Sequence, residues 1–139
     1  MTQMPDPSAT YFCGACGKRA STVTLVSAGR PDPRSGPADA RPRIDMLGSA
    51  QQRISIDGGP VSFSIWTVAL QPNAVTDALA SGDAARLFVL DSEFAPFWCP
   101  TCGLAYCEDH WLVDTKYDEG FFDCIDGTCP RGHTRTLED

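Results

Sequence analysis

The chain has 139 residues, seven of them cysteine, with 42% apolar and 21% charged residues and a formal net charge of −7. That length suits one domain with a modest core, and the composition is globular rather than disordered or fibrous. The charge is divided: residues 1–53 carry seven Lys/Arg against four Asp/Glu, and residues 54–139 carry four against fourteen. The cysteine-rich half therefore lacks the clustered cations that phosphate needs, which disfavours nucleic acid and suits a basic protein surface.

Residues 1–10 are polar and include Pro5 and Pro7, unlike the apolar stretch of a signal peptide. No apolar run approaches the roughly 20 residues that span a bilayer. No membrane association and a cytoplasmic, reducing setting are expected, where clustered cysteines serve metal or catalysis rather than disulfides. The odd count also argues against a closed disulfide set.

In chain order, residues 11–18 read as a metal knuckle, Tyr-Phe-Cys-Gly-Ala-Cys-Gly-Lys, whose glycines let backbone amides turn toward sulfur. Residues 21–26, rich in Thr and Val, predict a strand. Four prolines and alternating charge make residues 30–43 a flexible linker. Residues 53–57 set Ile54 and Ile56 against polar neighbours, the pattern of a half-buried strand. Gly58 and Gly59 then supply a hairpin turn. Residues 61–70 form the strongest strand signal; its alternation changes phase at Ile65–Trp66, which predicts a bulge or a strand covered on both sides. Asn73 is a candidate N-cap for a helix over 74–80 that stops near Gly82. Asp83 is placed to cap a second helix that carries Leu87, Phe88 and Leu90 inward.

The chemistry lies in four ligand pairs. Cys13 and Cys16 are Cys-x2-Cys, as are Cys99 and Cys102; Cys107 and His110 are Cys-x2-His; Cys129 and His133 are Cys-x3-His. Zinc takes four tetrahedral sulfur or nitrogen ligands, and two residues in a tight turn supply half a site. Four half-sites make two zinc ions per chain, and they consume both histidines. Only four residues separate Cys102 from Cys107, so those two half-sites reach different metals more easily than one. A cross-braced arrangement follows, with Cys13, Cys16, Cys107 and His110 as site one and Cys99, Cys102, Cys129 and His133 as site two. A sequential ribbon, in which the two Cys-x2-Cys pairs share an ion, is the alternative. Cys124 is left over, as a core thiol or as a substitute ligand. Closed four-ligand sites are structural and leave no position for water or substrate. No histidine remains to act as base beside Cys124, so a thiol enzyme is the weakest of the readings.

At these residues the chain resembles the cross-brace, treble-clef zinc fingers. Cys102-Gly-Leu-Ala-Tyr-Cys107-Glu-Asp-His110 is similar to the Cys-Gly-x-x-Phe-Cys-x-x-His core of the AN-one fingers of stress-associated proteins, and the pairing order resembles the RING domains of ubiquitin ligases. The whole-chain pattern also resembles small uncharacterised bacterial zinc-binding proteins, which implies no activity. The RING resemblance implies a module without catalytic residues that docks a ubiquitin-conjugating enzyme, with Trp111, Pro130 and Arg135 as its partner-binding side chains. Two features depart from that family: Gly14 and Ala15 offer no large apolar contact, and 82 residues separate the first two pairs.

The fold expected is α+β, a single domain over residues 1–139. A small antiparallel sheet with short helices, residues 44–92, is inserted into a two-zinc, RING-like cross-brace module formed by residues 11–18 and 97–136. The expected function is protein–protein interaction, in its sharpest form a RING-type ligase or adaptor of a bacterial ubiquitin-like conjugation system. A structural accessory subunit with no catalytic role is the alternative.

Overall fold

A computed structural model of the protein describes residues 6–27, 53–66 and 72–138. The linker expected over 30–43 lies outside the described residues, as do 44–52 and 67–71 of the expected insertion.

Strands β1 (Ser8–Phe12), β2 (Arg19–Val26), β3 (Arg53–Asp57) and β4 (Phe63–Trp66) form an antiparallel sheet in that order. The register sets Val23 opposite Ile56 and Leu25 opposite Ile54, so two β-branched-rich rows share the core face. β3 is buried more completely than its alternation predicts: Arg53 and Ser55 are as inaccessible as Ile54 and Ile56. The glycine turn falls where expected but is a five-residue loop. Gly58 and Gly59 both take φ near +90°, and a Cβ at Gly59 would meet the Ala20 carbonyl and the Phe97 Cβ at 3.2 Å, so glycine is required there. β3 and β4 pair without a register shift, so the phase change at Ile65–Trp66 is not a bulge within the described strand. β1 has no counterpart in the sequence reading, because Ser8–Phe12 alternates too weakly to announce itself.

Helices α1 (Pro72–Ser81) and α2 (Ala84–Leu90) follow. α1 begins two residues earlier than expected. Pro72 occupies its first turn, where a missing N–H costs nothing, and Asn73 lies inside the helix rather than capping it. Gly82 ends it with φ +69° and an N–H to the Leu79 carbonyl. Asp83 caps α2 by accepting from the Ala85 amide at 3.0 Å. Val75, Ala78 and Leu79 on one face of α1 and Leu87 of α2 are buried in one core with the sheet residues, Phe94 and Phe97. Leu90 was expected to point inward but is 38% exposed; it is the last residue of the seven-residue α2.

The rest of the chain is strand rather than the irregular knuckles the sequence suggests. β5 (Trp98–Cys99) pairs with β6 (Leu104–Ala105), and β7 (Leu112–Asp118), β8 (Phe121–Thr128) and β9 (Thr134–Glu138) form a meander. Among the described residues the architecture is α+β, with three small antiparallel sheets and two short helices. The second core differs in kind from the first: Cys13, Cys99, Cys107 and Cys129 are buried with Tyr106, Trp111 and Leu137. Gly127 of β8 passes so close to Leu137 that a Cβ would lie 2.6 Å from it, which accounts for a glycine mid-strand. Among the described residues no helix is long and apolar enough to cross a membrane.

Candidate metal centres

Each ligand pair sits in a tight turn, and the turns share a construction. The first links β1 to β2, the second β5 to β6, and the fourth β8 to β9; the third is a 3-10 turn, Glu108–His110, leading into β7. In each, an amide three or four residues on donates to the carbonyl of the leading cysteine: Gly17 to Cys13, Gly103 to Cys99, His110 to Cys107 and Gly132 to Cys129, all at 2.9–3.0 Å. The three glycines have positive φ, the left-handed conformation that reverses the chain behind a ligand pair. Backbone amides also reach the sulfurs, Ala15 to Cys13 Sγ and Cys102 to Cys99 Sγ, both at 3.4 Å.

Tertiary contacts decide which turns meet. The Gly14 amide donates to the Ala105 carbonyl at 2.7 Å, which lays the first turn beside Cys107. Cys13, Cys16, Cys107 and His110 form one group and Cys99, Cys102, Cys129 and His133 a second, each with ligand atoms within 4.8 Å of one another. The first pair thus meets the third and the second meets the fourth; the sequential ribbon order is not found.

The spacing fits zinc. With Zn–S about 2.3 Å and Zn–N about 2.0–2.1 Å, a tetrahedral ion sets two sulfurs roughly 3.8 Å apart and a sulfur and a nitrogen roughly 3.6 Å apart. Cys16 and Cys107 are separated by 3.6 Å, and Cys102 and Cys129 by 3.7 Å. His110 Nδ1 lies 3.6 Å from Cys13 and 3.1 Å from Cys107. His133 Nδ1 lies 3.7, 3.2 and 3.4 Å from Cys99, Cys102 and Cys129. Nδ1 is the inward nitrogen in both groups. These are two Cys3His groups of the composition and size of two zinc sites.

The thiols are unequal. Burial would raise Cys13, but the amides of Cys107, Ala15 and Cys16 and the Cys16 thiol bring it down to about 6. Cys129 comes down to about 7: burial opposes the shift, and the amides of His133 and Arg131 with the neighbouring thiols outweigh it. Burial, reinforced by the Cys16 and Cys13 thiols, pushes Cys107 up to about 11, and burial likewise raises Cys99. Each group therefore sets a cysteine whose pKa is lowered beside one whose proton a metal must displace.

Cys124 belongs to neither group. It lies on β8, opposite Lys116, with its sulfur 3.8 Å from Asp123 Oδ2 and 3.7 Å from Asp126 Oδ1, and both fourth positions are filled by histidine. Cys124→Ser is expected to leave two zinc ions by elemental analysis and to change the unfolding free energy measured in urea by no more than about 0.5 kcal/mol, the range of a partly exposed polar exchange.

Of the three side chains offered as a partner surface, Pro130 is exposed and the other two are engaged inside the protein. Trp111 is 5% exposed; its indole N–H donates to the Tyr106 carbonyl at 3.1 Å, and its ring meets Tyr106 edge-on. A tryptophan following a ligand is packed over the metal turn here, because the 3-10 geometry of Glu108–His110 directs it inward. Arg135 is a clamp. Its guanidinium donates to the carbonyls of Ala95 (2.7 Å), Trp98 (2.8 Å) and Ser92 (2.9 Å), its Nε donates to Thr136, and its plane lies 5.1 Å from the Phe88 ring centre. Burial lowers it to about 10, partly offset by Cys99, so it stays a cation at neutral pH. Nothing in the sequence marks this role, since the acceptors are backbone carbonyls.

Arg135 ties β9 to the segment that enters the second ligand turn. Removing it leaves three carbonyls without that donor, and lysine has no planar fork to reach them. Both Arg135→Ala and Arg135→Lys are expected to cost about 3 kcal/mol in urea denaturation and to speed zinc loss to a chelator from site two more than from site one. Equal loss from both sites would deny the clamp its local role.

Two Cys3His groups held by interleaved turns among small antiparallel sheets define a zinc-binding α+β protein. The chain belongs to the DUF8328 family, a domain of unknown function, which it matches over residues 2–139. No curated protein and no solved structure matches it.

Proposed function

We propose that the chain is a non-catalytic, zinc-stabilised protein-interaction module. One observation carries the reading: each group supplies four side-chain donors, a full tetrahedral shell. A filled shell has no position for water or substrate, so its free energy goes into holding a surface in shape. Cobalt substitution tests this. The cobalt protein should show a tetrahedral thiolate spectrum that azide leaves unchanged; a change on adding azide would reveal an open position and overturn the reading.

The sharpest form of this function is a RING-type ligase or adaptor in a bacterial ubiquitin-like conjugation system. The interleaved order of the pairs supports it, as does the exposure of Pro130 in the last turn. This form predicts that the protein accelerates discharge of a conjugating enzyme's thioester, and that Pro130→Ala weakens the effect while both zinc ions stay bound. The burial of Trp111 and the capture of Arg135 favour the second reading, a structural accessory subunit. No acceleration with any conjugating enzyme of the source cell would leave that reading standing.

A further inference from the structure

The outer strand of the β7–β8 hairpin stands clear of both cores. All seven residues of β7 are exposed, and among the described residues the strand is paired on one edge only, with β8. Leu112 is 76% exposed, Val113 45% and Tyr117 68%. The hairpin is well formed: Asp118 pairs with Phe121 across a two-residue turn in which Glu119 and Gly120 both have positive φ, the turn type that matches strand twist. Its one irregularity is on the inner strand. Lys116 faces Cys124 and Tyr117 faces Phe122, so the extra residue is Asp123 of β8, and β7 keeps an unbroken alternation. A regular, unpaired edge that exposes large apolar side chains is one that proteins ordinarily blunt or cover.

Within that edge, Leu112-Val-Asp-Thr-Lys-Tyr-Asp118, the five residues Val113–Tyr117 are complementary to themselves. In an antiparallel pair of identical strands related by a two-fold axis normal to the sheet, residues directly opposite share a face, so the axis must pass through a residue. Centred on Thr115, the pairing sets Asp114 opposite Lys116, Val113 opposite Tyr117 and Thr115 opposite itself. These are an opposite-charge pair, an aromatic–β-branched pair and a Thr–Thr pair, the three kinds that stabilise antiparallel strands. Shifting the centre by one residue destroys the match: centred on Asp114, two aspartates face each other, and centred on Lys116, two lysines do. Within one chain Lys116 Nζ already reaches Asp114 Oδ2 at 2.7 Å, so both charged ends lie on one face. Pairing two chains brings four alternating charges together there.

We propose that β7 is the dimer interface of this protein: two copies pair antiparallel through Leu112–Asp118, centred on Thr115, and join their meanders into one six-stranded sheet. The inference is independent of the partner named above, and it gives each particle two copies of any partner-binding surface.

Sedimentation equilibrium of the zinc-loaded chain is expected to show a reversible, concentration-dependent dimer. Lys116→Glu sets acid against acid twice per interface, and Asp114→Lys sets base against base; each should weaken the dimer by about ten-fold or more. The double exchange Asp114→Lys with Lys116→Asp restores both pairs and should recover the dimer, while every variant keeps two zinc ions. A wild-type chain that stays monomeric would overturn the proposal. A dimer indifferent to the single exchanges, or one that the double exchange fails to recover, would place the interface elsewhere. None of these results bears on the cobalt–azide test, so the two readings fail separately.

Discussion

Removing both zinc ions with a strong chelator should melt the cysteine-rich half of the molecule while leaving α1, α2 and the four-stranded sheet largely folded. The reason lies in what fills each core. Four of the seven buried residues of the second core are cysteines of the metal groups. Without an ion, that core holds clustered thiols and thiolates that repel one another. The first core contains no ligand; it is made of Val, Ile, Leu and Phe side chains with Tyr11 and several alanines. Structural zinc in comparable small sites carries about 10–16 kcal/mol of apparent binding free energy near pH 7, more than a domain's usual total stability. Amide exchange should therefore lose protection over residues 98–138 and keep it in α1 and β2–β3. Loss of both halves together would show that the two cores are one cooperative unit. Cys13→Ser extends the test to the pairing: it should release the site-one ion and expose Cys107 to alkylation, with Cys99 and Cys102 still protected. Acid should act in the same direction as the chelator. Ligands bind as thiolate, so zinc binding releases the Cys107 proton at neutral pH, since that thiol sits at about 11. Below about pH 6 a proton must be displaced from Cys13 as well, and below about pH 7 one from Cys129. Zinc affinity should fall as pH drops and fall more steeply below that range.

Trp111→Ala is expected to be the most damaging single change away from the ligands, at about 3–5 kcal/mol, the cost of emptying a large buried aromatic site. Three losses coincide there. The cavity opens in the core that also buries Cys13 and Cys107; the Tyr106 carbonyl loses its indole donor; and the edge-to-face contact with Tyr106 disappears, itself worth about 0.5–1.5 kcal/mol. Trp111→Phe should recover much of the packing and none of the hydrogen bond, so it should fall between the two. The measurements are urea unfolding followed by near-ultraviolet circular dichroism, and zinc content after dialysis. A Trp111→Ala protein that unfolds at the wild-type midpoint with both ions bound would return this side chain to the surface.

The sequence by itself determined the metal chemistry. Cysteine and histidine at spacings of two and three residues suit ligand pairs in tight turns, and eight such residues in four pairs point to two four-ligand sites. Local signals of similar strength located β3, the Gly58–Gly59 turn, the stop at Gly82 and the Asp83 cap, because each depends on residues within one turn of the backbone. The helix start was misplaced by two residues because Pro72 and Asn73 both favour that boundary, and only the geometry chooses between them. The tertiary structure decided everything that depends on distance along the chain. Spacing argued for interleaved pairs without excluding a ribbon; the Gly14–Ala105 bond and the meander bring the first turn to the third and the second to the fourth. The strands β7 to β9 were invisible because they are short of apolar residues on a consistent face, and their pairing is held by the hairpin turn and the fourth metal turn rather than by a buried stripe. Trp111 and Arg135 show the same limit from the other side. Their residue types fit a docking surface as well as a core, and the choice rests on carbonyl oxygens of Tyr106, Ser92, Ala95 and Trp98, backbone groups that every residue carries and no sequence pattern distinguishes.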